Sequence, residues 1–208
     1  MLLVFLLAVV PAIFVPTLMC RQPDPELPDL GPVPAFTLVD ERGYEFTQEA
    51  LRGHPTIVDF VFTRCDTICP VVSSKMERLQ DKTGDRKASA LKLLSISVDP
   101  EYDTPARLAE YATRYHADVE RWRFLTGPKD KVTALVTGAF MINMDRDGPM
   151  PSGAPSIAHQ GYFVLVDAEL RIRGVYDSRD QARLDELVHH ARFLVRTGVD
   201  RSYKFGGP

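Results

Sequence analysis

The chain has 208 residues, of which 45% are hydrophobic, and its formal net charge at neutral pH is −3. This length allows one domain of ordinary size with an appendage, and the apolar content is sufficient for a hydrophobic core. Because no strongly basic field is present, nucleic acid is excluded as an expected partner.

The N-terminal residues 1–19 contain no charged side chain, and Cys20 follows them. A helix of about 20 apolar residues can cross a bilayer, so we predict a membrane anchor over residues 1–20, inserted through residues 1–19. A cleaved signal peptide and a lipoprotein signal ending at Cys20 remain alternatives, although no basic n-region and no small residues precede Cys20.

The next segment, residues 21–34, is rich in proline and acidic side chains. This composition predicts an extended, semi-rigid linker between the membrane and the folded domain. We predict that the domain covers residues 35–196 and that residues 197–208 form a flexible tail.

The predicted domain alternates strands and helices. It begins with a small hairpin, residues 36–39 and 44–46, around Gly43. The elements that follow, in chain order, are a buried strand at 57–62, a helix with its apolar face at 72–79, a strand at 91–98, a helix starting at Asp103-Thr104-Pro105, a strand at 122–125, a helix at 132–139, paired strands at 162–166 and 171–176, and a helix from about Asp180 to 195. This alternation predicts an α/β layered domain.

Two cysteines, Cys65 and Cys69, stand where the first buried strand ends and the first helix begins. The unpaired N–H groups at a helix start favour thiolate over thiol, and thiolate is both a nucleophile and a metal ligand. Pro70 suits a first helical turn, where its missing N–H is not needed. The residues alone favour a redox or metal site over a structural disulfide, and they leave open which of the two it is.

An acidic residue, Asp59, interrupts the apolar strand six positions before Cys65. A buried carboxylate is costly unless it is paired or neutral. Three interpretations of Asp59 remain open: a proton donor or acceptor for thiol chemistry, a buried structural acid, and an acid that faces solvent at the sheet edge.

Other reactive side chains are interpreted as structural. The methionines Met141, Met144 and Met150 carry soft sulfur ligands, but gap-filling packing is the favoured interpretation. Surface positions are predicted for several histidines and scattered basic residues, namely His54, His116, His189, His190, Arg121, Arg123, Arg171 and Arg173.

The cysteine segment resembles the copper-binding turn of the Sco/SenC family. It runs Phe62-Thr63-Arg64-Cys65-Asp66-Thr67-Ile68-Cys69-Pro70, and Met76 follows it. A second segment, SISVDPEYDTP from Ser95 to Pro105, is similar to another motif of that family. The resemblance covers roughly residues 34–195.

The resemblance implies a thioredoxin-like fold, with a central mixed sheet flanked by helices and an N-terminal hairpin. It also implies that Cys65, Cys69 and His159 bind copper as Cu(I) or Cu(II). The implied function is delivery of copper to the copper-centre subunit of cytochrome c oxidase. The anchor would hold the domain on the extracytoplasmic side of a membrane.

One departure from the family keeps a second function open. The family usually has an acid directly before its histidine, whereas Ala158 precedes His159 here. Partners of metal-bound histidines orient and tune them, so this departure leaves room for a thiol–disulfide oxidoreductase that uses Cys65 and Cys69 to reduce another copper or thiol protein. A peroxidase of the same fold is disfavoured because Phe62 stands where a threonine is expected, and a copper-dependent sensor or scaffold remains an alternative.

Overall fold

The computed structural model describes residues 24–83, 91–139 and 161–198. The strands are β1 Thr37–Asp40, β2 Glu45–Thr47, β3 Thr56–Val61, β4 Lys92–Ser97, β5 Trp122–Thr126, β6 Tyr162–Val166 and β7 Ile172–Asp177. The helices are α1 Ile68–Lys82, α2 Pro105–Arg114, α3 Lys129–Ala139 and α4 Gln181–Thr197, and a 3₁₀ turn covers Gln48–Leu51.

These strands form one mixed sheet in the order β2-β1-β5-β4-β3-β6-β7. Strands β3, β4 and β5 are parallel, while β1, β2, β6 and β7 join by antiparallel pairing. Every residue of β3 is buried, as expected for an apolar strand with neighbours on both sides and cover on both faces. The predicted mixed sheet with flanking helices and an N-terminal hairpin is therefore confirmed.

Two of the described helices, α2 and α4, begin with a side-chain cap. Thr104 caps α2 by accepting a hydrogen bond from the Arg107 N–H at 3.4 Å, and Pro105 occupies the first turn. Asp180 caps α4 in the same way, accepting from the Ala182 N–H at 2.8 Å. Both predicted starts are confirmed.

One predicted surface residue, Arg123, is buried instead, with 1% of its side chain exposed. It lies on β5, where its guanidinium donates to Asp40 and its Nε lies 3.2 Å from Glu41 Oε1. Both acids belong to the β1–β2 hairpin and are themselves buried. A buried charge requires partners, and here the ion pairs join the hairpin to the sheet.

Two histidines predicted at the surface are also buried or nearly so. The turn before β3 is joined to the β6–β7 turn by a hydrogen bond from the Gly53 N–H to the Ala168 carbonyl, and His54 in this turn is buried. His190, on α4, is 13% exposed and shares a hydrogen bond with the Tyr176 hydroxyl at 2.7 Å. His116 is exposed, as predicted.

The described part of the predicted linker contacts β7. The N–H groups of Leu30 and Val33 donate to the carbonyls of Ile172 and Leu170 at 2.9 and 2.8 Å. We call residues 24–33 the N-terminal strap. The predicted anchor over residues 1–20 lies outside the described residues. None of the helices in the described ranges has the length and apolar character needed to cross a membrane.

Candidate functional site

The two cysteines meet at the end of β3. A turn brings the Cys65 N–H to the Phe62 carbonyl at 3.2 Å, and α1 begins three residues later with Cys69 in its first turn. The Cys69 N–H donates to Cys65 Sγ at 3.4 Å, and Thr67 Oγ1 lies 3.5 Å from the same sulfur. Both are free thiols, Cys65 half-buried and Cys69 buried. The predicted strand-to-helix placement of the pair is what the structure shows.

The two thiols have opposite proton affinities. A hydrogen bond from the Cys69 side chain, with a further one from Thr67, lowers the pKa of Cys65 to about 5. The same pairing, together with burial, raises the pKa of Cys69. One proton shared by two sulfurs leaves the more accessible sulfur as the thiolate near neutral pH. The site therefore presents one nucleophilic, soft ligand toward solvent and holds a second behind it.

The acid Asp59 is fully buried in β3, so the solvent-facing interpretation is wrong. The Ser95 hydroxyl donates to Asp59 Oδ1 at 2.5 Å, and the Trp122 indole N–H donates to that hydroxyl at 2.8 Å. Burial raises the pKa of Asp59 to about 7. A structural and a proton-transfer role both fit these contacts.

The third predicted ligand, His159, lies outside the described residues, as do Cys20, Ala158 and the methionines Met141, Met144 and Met150. Gly161 is described, and it lies against the first turn of α1. A Cβ at Gly161 would be 3.3 Å from Val72 and 3.4 Å from Ile68. Among the residues that the structure describes, no group of three or more His, Cys, Asp and Glu side chains is arranged to hold a metal.

Sequence reasoning missed the contacts that the second motif makes with the cysteine turn. Asp99 lies 2.6 Å from Arg64 Nε, and the Tyr102 ring lies 4.9 Å from the Arg64 guanidinium carbon. Asp103, predicted only as part of a helix start, is fully buried and bonds to Thr63. The resemblance of both segments to one family was the available signal, but it does not state that the segments touch.

Fold and site together define a thioredoxin-like protein whose dithiol pair opens the first helix after a central strand. The SCO1/SenC family profile matches residues 28–193. The chain belongs to the SCO1/SenC family.

Relatives of known name agree with this membership. The chain is 29% identical over 157 residues to the SCO1 protein homolog of Bacillus subtilis, covering 75% of this chain and 79% of the relative. It is 31% identical over 151 residues to a putative copper-binding protein of Stutzerimonas stutzeri, covering 71% and 70%.

Solved structures share the fold. BsSco, a member of the Sco family of cytochrome c oxidase assembly proteins with a disulfide switch, superposes with a TM-score of 0.68 at 28% identity, over 82% of this chain and 98% of BsSco. Yeast Sco1 with copper bound superposes with a TM-score of 0.61 at 27% identity, over 80% of this chain and 95% of Sco1.

Proposed function

We propose that the domain binds one copper ion through Cys65, Cys69 and His159 and delivers it to the copper centre of cytochrome c oxidase. The observation that carries this proposal is the pair of free thiols at the start of α1, one accessible and one buried. Thiolate sulfur selects Cu(I), and imidazole accommodates copper in both oxidation states. The copper bound to yeast Sco1 supports the proposal from a relative.

The position of Gly161 supports His159 as the third ligand. Gly161 packs against Ile68 and Val72, which belong to the same helical turn as Cys69. His159 is two residues upstream, and two residues span at most about 7 Å. The His159 backbone is therefore at most about 7 Å from Gly161, which itself lies against the first turn of α1, and this short tether supports the imidazole as the third ligand.

Partial exposure of Cys65 suits transfer of the ion. A ligand on an acceptor protein can approach a half-buried sulfur and replace it, whereas a closed four-ligand cage resists exchange. We propose that the predicted anchor in residues 1–20 holds the domain at the extracytoplasmic face of a membrane, where a copper-centre subunit would be the acceptor.

A copper titration tests the ligand set. Cu(I) and Cu(II) are added to the reduced full-length protein in competition with a chelator, and Cys65→Ser, Cys69→Ser and His159→Ala are compared with His116→Ala as the control histidine. We expect one Cu(I) per chain, a loss of at least about tenfold in affinity for each ligand variant and no change for His116→Ala. Binding by Cys65→Ser that matches the unaltered protein would remove the basis for the copper function.

A second candidate function is reduction of a disulfide in a copper protein. It is favoured by the low pKa of Cys65 and by the buried acid Asp59 on the strand that leads to the pair. In this function Cys65 attacks the disulfide, Cys69 resolves the mixed disulfide, and His159 has no role. His159→Ala should then keep the full rate of thiol–disulfide exchange while losing copper affinity. Equal loss of both activities would count against the reductase.

A further inference from the structure

Two short turns face each other beside the cysteine pair. The first, which we call the cysteine turn, covers residues 62–65 and is closed by the Cys65 N–H to Phe62 carbonyl bond at 3.2 Å. The second, the acidic turn, covers residues 99–103 and is closed by the Asp103 N–H to Asp99 carbonyl bond at 2.9 Å. They follow β3 and β4, which are adjacent parallel strands, so both turns lie at the same edge of the sheet.

The two central residues of the cysteine turn are each held by one acid of the acidic turn. Asp103 accepts from the Thr63 hydroxyl at 2.5 Å and from the Thr63 N–H at 3.1 Å. Asp99 accepts from Arg64 Nε at 2.6 Å. The residues directly before Cys65 are therefore fixed through side-chain contacts, whereas the ordinary turn bond alone would leave them free to rotate.

Asp103 is the central member of this arrangement. Its side chain is buried. Within the described ranges, no Lys or Arg lies within ion-pair distance of its carboxylate. Besides Thr63, its carboxylate accepts from the Ser97 hydroxyl at 2.6 Å. An ionised carboxylate that is buried among neutral donors is costly. Burial accordingly raises the pKa of Asp103. A buried polar network whose groups are all paired rigidifies the segments that it joins.

We propose that Thr63 and Asp103 are positioning residues for the copper site, because they set the direction in which Cys65 presents its sulfur. With the cysteine turn fixed, Cys65 Sγ stays within 3.4 Å of the Cys69 N–H and 3.5 Å of the Thr67 hydroxyl. Ligands that are already oriented bind a metal without an ordering cost. This inference rests on the proposed copper function for its physiological meaning, but the geometry applies to Cys65 in thiol chemistry as well.

The test compares three substitutions in the reduced full-length protein. Thr63→Val keeps the shape and the backbone N–H but loses the hydroxyl, and Thr63→Ser keeps the hydroxyl. Thr113→Val removes a threonine hydroxyl of the same kind from the exposed face of α2, where it bonds to the Ala109 carbonyl at 2.9 Å. Each variant is measured for Cu(I) affinity by chelator competition and for the rate at which iodoacetamide alkylates Cys65, followed by peptide mass spectrometry.

We expect Thr63→Val to weaken Cu(I) binding about tenfold and to slow alkylation of Cys65 about threefold, since the hydroxyl bond that holds the cysteine turn to Asp103 is lost. Thr63→Ser and Thr113→Val should stay within about twofold of the unaltered protein in both measurements. Urea unfolding without copper identifies a merely structural role, which would lower stability and leave affinity and alkylation unchanged. That last outcome would overturn the positioning role.

The two proposals fail separately. If the unaltered protein does not bind Cu(I), the copper function is lost, and the alkylation rates of Cys65 decide the positioning role alone. If it binds Cu(I) but Thr63→Val matches Thr63→Ser in both measurements, the positioning role is wrong and the copper function stands.

Discussion

At the scale of single residues, the site contains pairs of identical residue types that differ in burial and in hydrogen-bond partners. Cys65 and Cys69 are four residues apart, but the helix start leaves one accessible and buries the other. Asp59 and Asp103 are both fully buried acids, yet Asp59 bonds to Ser95 within the sheet and Asp103 bonds to Thr63 in the turn that leads to Cys65. Burial and partners, which differ between these positions, determine what each group does.

The buried acid Asp59 gives a prediction about stability and pH. Burial raises its pKa to about 7, while an unfolded aspartate titrates near 3.9. The folded protein therefore binds this proton more tightly than the unfolded chain. The contribution of Asp59 to the free energy of unfolding is at its full value below about pH 4 and is lost as the pH rises through about 7. Near pH 8 the contribution of Asp59 to the free energy of unfolding should be about 3 kcal/mol smaller than near pH 5.

Asp59→Asn removes this titration. We expect the difference in free energy of unfolding between about pH 5 and pH 8, measured by urea denaturation of the reduced protein, to shrink in the variant by a few kcal/mol. The unaltered protein is the control for all other titrating groups. An equal pH dependence in both proteins would show that the carboxyl of Asp59 does not titrate in this range.

At the scale of elements, the start of β6 is fitted to the start of α1. Gly161 has a φ of +56°, and a Cβ there would lie 2.7 Å from Ser178 Oγ. Its carbonyl accepts a hydrogen bond from the Ser178 N–H at 2.8 Å, so β6, the residues after β7 and α1 converge at this glycine. This junction therefore fixes the first described residue before β6 against the first turn of α1.

Gly161→Ala should disturb this junction. Both the positive φ and the close Ser178 contact oppose a side chain, and we expect a loss of about 2 kcal/mol in the free energy of unfolding together with weaker Cu(I) binding. Gly43→Ala is the matched control, because Gly43 has a φ of +86° with open space around a Cβ. It should lose only about 1 kcal/mol and keep its copper affinity. Identical losses for the two variants would mean that crowding at Gly161 is unimportant.

At the scale of the whole molecule, the N-terminal strap determines where the chain enters the domain. Asp24 pairs with Arg196 near the end of α4, and α4 begins just beyond Ser178, beside the cysteine site. A helix of 17 residues is about 25 Å long. Asp24 therefore lies at the end of α4 that is about 25 Å from the first residue of that helix, Gln181.

The strap should also contribute to stability, because Val33 is 6% exposed and joins the hydrophobic core. We expect Val33→Ala to lower the free energy of unfolding by about 2 kcal/mol. Val71→Ala is the matched control, since Val71 is 47% exposed. It should change the free energy by less than about 0.5 kcal/mol. Urea denaturation of the full-length protein measures both, and equal values would show that the strap is not part of the folded unit.

The sequence by itself determined the order and type of the elements and the position of Cys65 and Cys69. Apolar runs, helical spacing and capping residues are local signals, and each lies within a few residues of the structure that it specifies. Thr104 illustrates this, because its helix begins where the capping signal predicts. The position of Cys65 and Cys69 between a strand and a helix also favoured two kinds of site, a redox site or a metal site.

Only the tertiary structure decided which distant groups meet. Arg123 and Asp40 are 83 residues apart, and Thr63 and Asp103 are 40 apart, yet each pair is in direct contact. Charged residues were interpreted as surface because their burial is costly in general, and what compensates the cost is a partner from another strand. Which residues become partners depends on the strand order of the sheet, and that order is set by long-range packing that no short segment encodes.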